Sequence, residues 1–166
     1  MAAPEDREDW AALARNAAQG EEESAPEEMR QLLVFQVADT SYALPVESVR
    51  EIVRQRATTP IPRAPADVCG VIALRGEILQ VIDLRRRIGA APAEPSRRAR
   101  IVVVQGEDAS VAGLLVDGVR EVLRTEQSAV QLQGGTDGMV AGLVRRGDAF
   151  VSLIDLERVL DLHADA

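Results

Sequence analysis

The sequence has almost none of the side chains on which enzyme and metal chemistry is built. It holds one cysteine, Cys69, and one histidine, His163. Zinc and iron–sulfur sites take several such ligands at fixed spacing, so both are excluded. Ser41, Ser48, Ser110 and Ser152 have no histidine base in the body of the chain, which removes a serine triad in its usual form. Aromatic residues are equally scarce: Trp10, Phe35, Tyr42 and Phe150 are the four in 166 residues. Lysine is absent, and all 19 cationic side chains are arginines. Small barrels hold single-stranded nucleic acid by stacking and counterion release. With so few rings and a net charge of −8, both are missing here, and a single-stranded nucleic-acid binder is a weak rival reading. No apolar run reaches the length of about 18 residues that a membrane span requires. The acidic start MAAPEDREDW does not read as a secretory leader, so the expected location is the cytoplasm.

What is present divides the chain in two. Residues 1–30 hold nine acids and three arginines, whereas the other 136 residues hold 18 acids and 16 arginines. The acidity therefore sits in an N-terminal tail, and EEESAPEE at 21–28 reads as a solvated linker. Within the tail, residues 5–18 place Trp10, Leu13, Ala14 and Ala17 on one helical stripe. That stripe is either a frayed end or a docking peptide. From Gln31 onward, short Val-, Ile- and Leu-rich runs recur between Gly, Pro, Asp and Ser: LLVFQV, SYALPV, VCGVIAL, EILQVIDL, RIVVVQ, SVAGLLV, MVAGLV and AFVSLIDL. Runs of this length bounded by turn residues are β-strands, and only 155–162 has helical spacing. The class is all-β with short helical caps. Cys69, inside one such run, reads as a buried inert thiol, and His163 as an exposed tail residue.

The runs are duplicated. VESVREIVR at 46–54 and VDGVREVLR at 116–124 align at an offset of 70, with five of nine positions identical. LLV at 32–34 falls on VVV at 102–104, Gly70 answers Gly142, Arg75-Gly76 answers Arg146-Gly147, and VIDL at 81–84 answers LIDL at 153–156. Repeat one spans about 31–92 and repeat two about 99–162, each with about five strands. Five short strands satisfy their backbone by closing into a barrel, and the expectation is two tandem barrels with a groove at their seam.

Few residues invite chemistry. Asp83 and Asp155 pair as carboxylates only on paper, because they stand at equivalent strand ends where a helix-capping or turn role accounts for both. GGTDG at 134–138 lacks the Lys-Ser/Thr and the βα context of a phosphate cradle and reads as a connector. In 46–54, alternation puts Val46, Arg50 and Ile52 on one face and Val49, Glu51 and Val53 on the other. Both faces carry apolar side chains, so either one lines a barrel and the other meets the sister barrel or a partner, or the stretch begins as a turn after Pro45. Val119 and Val122 pose the same choice in the second copy. Arg75, in ALRGE, is either a soluble turn residue or a guanidinium fixed at a hairpin tip to face a partner's carboxylates or helix C-termini.

At these residues the sequence resembles the CheW family of chemotaxis coupling proteins. The resemblance runs from about Leu32 to Leu160, through LVFQVADTSYALPVESVREI at 33–52, IPRAPADVCGVIALRGEILQVIDLR at 61–85, VAGLLVDGVREVL at 111–123 and VSLIDLERVL at 151–160. It implies two intertwined five-stranded barrels with an internal duplication, within a CheW-like domain spanning 31–166. It also implies no enzymatic activity, no metal and no cofactor. The implied partners are the regulatory domain of a CheA-type histidine kinase and the helical cytoplasmic tips of chemoreceptors. Barrel-to-barrel contacts of this kind can close into rings, and the chain would be recruited to receptor arrays at the inner face of the membrane without inserting into it. A sibling reading is a CheW-like scaffold for another chemosensory or array-localisation system.

The resemblance also carries positions. Val46, Val49 and Glu51 match the kinase-binding edge of the first barrel. Gly70 and Arg75 match the receptor-binding strand and its L-R-G tip. Ile101, Val102, Val119 and Val122 match the second barrel's share of the receptor groove. Ala73 stands where the family usually has Asn, and Gln80 where it usually has Pro.

Overall fold

The computed structural model describes residues 28–132 and 138–162. The acidic tail with Trp10, most of the GGTDG loop and His163 lie outside the described residues. The first copy runs β1 (Met29–Val37), β2 (Thr40–Pro45), a 3-10 turn at Val46–Ser48, β3 (Val49–Arg54), β4 (Val68–Leu74), β5 (Glu77–Asp83) and the short helix α1 (Leu84–Arg87). The second runs β6 (Arg100–Gln105), β7 (Val111–Val116), β8 (Gly118–Glu126), a 3-10 turn at Gln127–Ala129, β9 (Val130–Leu132), β10 (Val140–Arg146), β11 (Ala149–Ile154) and α2 (Leu156–Leu160).

The copies do not each close a barrel of their own. One sheet has the order β8-β1-β2-β11-β10-β9, and the other β3-β6-β7-β5-β4. Each copy thus gives its first hairpin to the other. The exchanged strands pair antiparallel on one side (β1 with β8, β3 with β6) and parallel on the other (β2 with β11, β5 with β7). Parallel neighbours normally need a long crossover; here they come from different copies, so no single connection has to make one. β9 follows β8 after one 3-10 turn and pairs with β10, bringing the two ends of the first sheet together. In the second sheet Thr59 does this work, donating to and accepting from Val71 at 2.9 Å each way. The expectation of one barrel per repeat is thereby corrected to two barrels that each draw on both repeats, the intertwined arrangement that the family resemblance implies.

This exchange explains why LLVFQV and RIVVVQ are apolar on both faces. Leu32 and Val34 point into one barrel with Val144, Val151 and Leu153. Ile101 and Val103 point into the other with Ile72, Leu79 and Val81. The alternate residues Leu33, Phe35, Val102 and Val104 meet in a third core between the barrels, with Leu44, Ile82, Leu114 and Ile154. At about 1.5–3 kcal/mol per fully buried aliphatic or Phe side chain, this shared core couples the barrels into one unit.

Polar contacts tie the copies at the same place. The Arg87 guanidinium, only 3% exposed, donates to the carbonyls of Val159 (3.1 Å), Arg158 (2.9 Å) and Asp161 (2.7 Å), capping α2 from the first copy. Arg85 grips Asp117 in fork fashion, Nε to Oδ1 at 2.9 Å and Nη2 to Oδ2 at 2.7 Å, and Asp117 also accepts from the Ala38 N–H at 2.6 Å. Asp83 and Asp155 cap the two helices, accepting from the N–H of Arg85 at 3.0 Å and of Arg158 at 3.3 Å.

Gly70 and Gly142 sit at matching bulges in β4 and β10. A Cβ on Gly70 would stand 2.3 Å from the Thr59 carbonyl oxygen, and one on Gly142 2.5 Å from that of Gln131. Both glycines therefore admit the backbone that closes each barrel. Gly70→Ala should cost roughly 3 kcal/mol in denaturant unfolding, from overpacking at a φ of +144°. Gly76→Ala, at a φ of +82° with nothing near, should cost only about 1 kcal/mol. Arg87→Ala should lose about 2–3 kcal/mol in the same measurement, because the end of α2 loses its charged donors.

Candidate functional site

The hairpin between β4 and β5 turns on Arg75 and Gly76, with φ of +50° and +82°. Positive φ at both central residues matches the twist of the flanking strands, and it holds a non-glycine residue in the left-handed region. The Arg75 side chain reaches back to β3, its Nε donating to Glu51 Oε1 at 3.1 Å and its Nη2 to Oε2 at 3.3 Å. This hydrogen-bonded pairing with Glu51 raises the Arg75 pKa further, so the tip stays charged at any physiological pH. A second pair, Arg50 with Glu77 at 3.7 Å, crosses the same opening. The two pairs rim a depression whose apolar lining is Leu74, Leu79 and Val103.

The other barrel repeats the device. Arg146, at the β10–β11 tip, pairs with Glu121 of β8. Exposed apolar side chains repeat as well, with Ile52 and Ile78 on one barrel matched by Val122 and Phe150 on the other. Sequence reasoning matched Arg146 to Arg75 but gave it no site role, and it passed over Glu121, Ile78 and Phe150 as site residues, although the offsets of 70–72 that define the duplication connect each to its counterpart. An arrangement of alternating charges with isolated apolar side chains can recognise a protein surface. Among the described residues no group of three or more His, Cys, Asp or Glu could hold a metal ion.

The structure sorts the residues carried over from the family. Arg75 and Val122 are well exposed, their values being 79% for the Arg75 side chain and 53% for Val122. Glu51 is half-buried beneath Arg75. Val46, Val49 and Val119 are half-buried and pack on the core between the barrels. Ile101 and Val102 have no exposed surface at all, so neither can touch a partner; both are core residues, and that expectation is corrected. Gly70 is buried too, and its part is to let Thr59 approach. Glu51 and Arg75, carried over as kinase-binding and receptor-binding respectively, are joined by one ion pair. Cys69 is half-buried rather than buried, with burial first and Asp83 second raising its thiol pKa above 9.0.

A family model described as CheW-like domain matches residues 31–164. Chemotaxis protein CheW of Rhizobium meliloti (strain 1021) is 41% identical over 102 residues. The match takes in 61% of this chain and 65% of that relative, short of two thirds of the relative's length. Chemotaxis protein CheW of Bacillus subtilis (strain 168) is 31% identical over 135 residues, covering 78% of this chain and 86% of that one. Among solved structures, the crystal structure of scaffolding protein TtCheW from Thermoanaerobacter tengcongensis matches with a TM-score of 0.77 at 30% identity. It covers 82% of this chain and 95% of that chain.

Because Arg75 is so exposed, Arg75→Ala should move the unfolding free energy by less than about 1 kcal/mol. Val122→Asp should be as mild, whereas Val119→Asp should destabilise clearly by burying a carboxylate against the central core. Cys69, with its raised pKa, has less thiolate than a free thiol at any pH below that value. Iodoacetamide near pH 8 should therefore alkylate the folded protein more slowly than glutathione.

Proposed function

The chain belongs to the family of CheW-like domains, and on that premise we propose that it is a non-enzymatic adaptor coupling chemoreceptor tips to a CheA-type histidine kinase. The observation that carries this reading is the family match across residues 31–164, which takes in both barrels without interruption. The geometry supports it: the exposed side chains gather charge and apolar area at the barrel surfaces. No described helix is long and apolar enough to cross a membrane, and recruitment to receptor arrays would proceed through the receptors themselves.

Contact with partners is assigned to Glu51, Arg75 and Val122, with Val46, Val49 and Val119 forming the half-buried margin beside them. Gly70, Ile101 and Val102 act only through the frame. Each contact is small and offers few hot spots, so single affinities are modest and receptor clustering supplies effective concentration.

Reconstituted receptor, kinase and adaptor provide the test. Arg75→Ala should abolish receptor-dependent kinase activation while the melting temperature holds. Since Glu51 holds Arg75, Glu51→Gln should weaken receptor binding as well as kinase binding; loss of kinase binding alone would refute the shared site. If Arg75→Ala couples as the parent does, the assignment of the tip fails.

A further inference from the structure

The arginines of the body are not evenly spread. Arg54 of β3 stands directly opposite Arg100 of β6 in the strand register, and like charges facing each other across a sheet are unfavourable. Arg54, Arg97 and Arg100 line one depression, and Arg98, Arg100 and Arg120 line its neighbour. Among the described residues none of these five has a carboxylate partner. Arg100 donates to the carbonyls of Arg97 (3.0 Å) and Ala99 (2.8 Å), and Arg120 donates to the Gln36 side chain. The one carboxylate in the lining, Asp117, is already held by Arg85 and by the Ala38 N–H. Glu94, the nearest in sequence, lines a different depression beside Arg56 and Arg86. A strongly positive face on a chain of net charge −8 leaves an uncompensated repulsion that an anionic occupant would relieve.

The chain carries such an occupant. Residues 5–28 hold nine carboxylates against two arginines. They join the body at Met29, which pairs with Glu126 at one end of the β1–β8 ladder. Gln36 and Gly118, paired at the other end, line the arginine-rich depression. That ladder is roughly 24 Å long at ~3.4 Å per residue. Glu5, Asp6, Glu8 and Asp9 lie at least 20 residues before Met29, a stretch that can reach up to about 68 Å.

We propose that this arginine face is the docking site of the chain's own acidic N-terminal segment, residues 5–28. Val119 lines the same depression, so the docked segment covers it; resting on the adaptor reading above, it competes there with a partner. Trp10, the only tryptophan, follows Asp9 directly and reports the docking without any partner present.

The full chain is compared with an Arg54→Glu, Arg97→Glu, Arg98→Glu variant by Trp10 fluorescence anisotropy. Measurements are made at about 20 mM and about 0.5 M salt, where the Debye length falls from roughly 20 Å to a few ångströms. In the parent, high salt should lower the anisotropy; the triple variant should show that lower value already at low salt. Replacing Glu5, Asp6, Glu8 and Asp9 with lysine should lower it likewise, without touching the folded body. Combining the two sets should restore the parent value. Equal anisotropy in parent and triple variant at low salt overturns the proposal, as does failure of the combined exchange. So does a triple variant that loses binding to phosphatidylglycerol vesicles or to an oligonucleotide while Trp10 is unmoved. None of these readouts involves receptor or kinase, so they stand or fall apart from the adaptor function.

Discussion

The exchange of hairpins between two copies of one unit is the constraint on which this protein rests. A barrel of five short strands in 60–70 residues has too little interior to be secure alone. Giving β1–β2 to one barrel and β6–β7 to the other forces those strands to be buried on both faces. The result is three small cores in place of two, and the middle one belongs to neither copy. Breaking either barrel would expose the strands that hold up the other.

The polar contacts follow the same plan. Arg87 caps the helix of the opposite copy, and Arg85 grips the opposite copy's Asp117 beside the exchanged β1–β2 turn. Hydrogen-bonded charges of this kind cost heavily when one partner is lost, so they reinforce the exchanged arrangement over its alternatives. With the frame secured there, the hairpin tips are free to be shaped for contact. Arg75 is a non-glycine residue in the left-handed region, held out by its pair with Glu51. A surface pair contributes little to stability, so this one fixes the pose of a charge without holding up the barrel.

Parts of this are legible in the amino-acid sequence. Apolar runs of strand length, their turn residues and the offset of 70 between VESVREIVR and VDGVREVLR lead to all-β structure with a duplication. Position alone gives Asp83 and Asp155 a helix-capping or turn role, and the fold makes both of them caps. Which residues could touch a partner did not follow. Ile101 and Val102 enter as groove residues through the family resemblance alone, and a short apolar run does not tell a strand exposed on one face from one buried on both. Arg87 was hidden in a run of three arginines, two of which remain at least partly exposed.

The strands follow from local alternation and turn chemistry, the doubling from self-similarity along the chain, and the family from the motifs it resembles. Which strands enter which barrel, the ion pair that joins Glu51 to Arg75, and the five arginines lining two adjoining depressions all come from the folded arrangement. These depend on contacts between residues far apart in sequence. Strand register and exchange set such contacts, and no local pattern of residues encodes them.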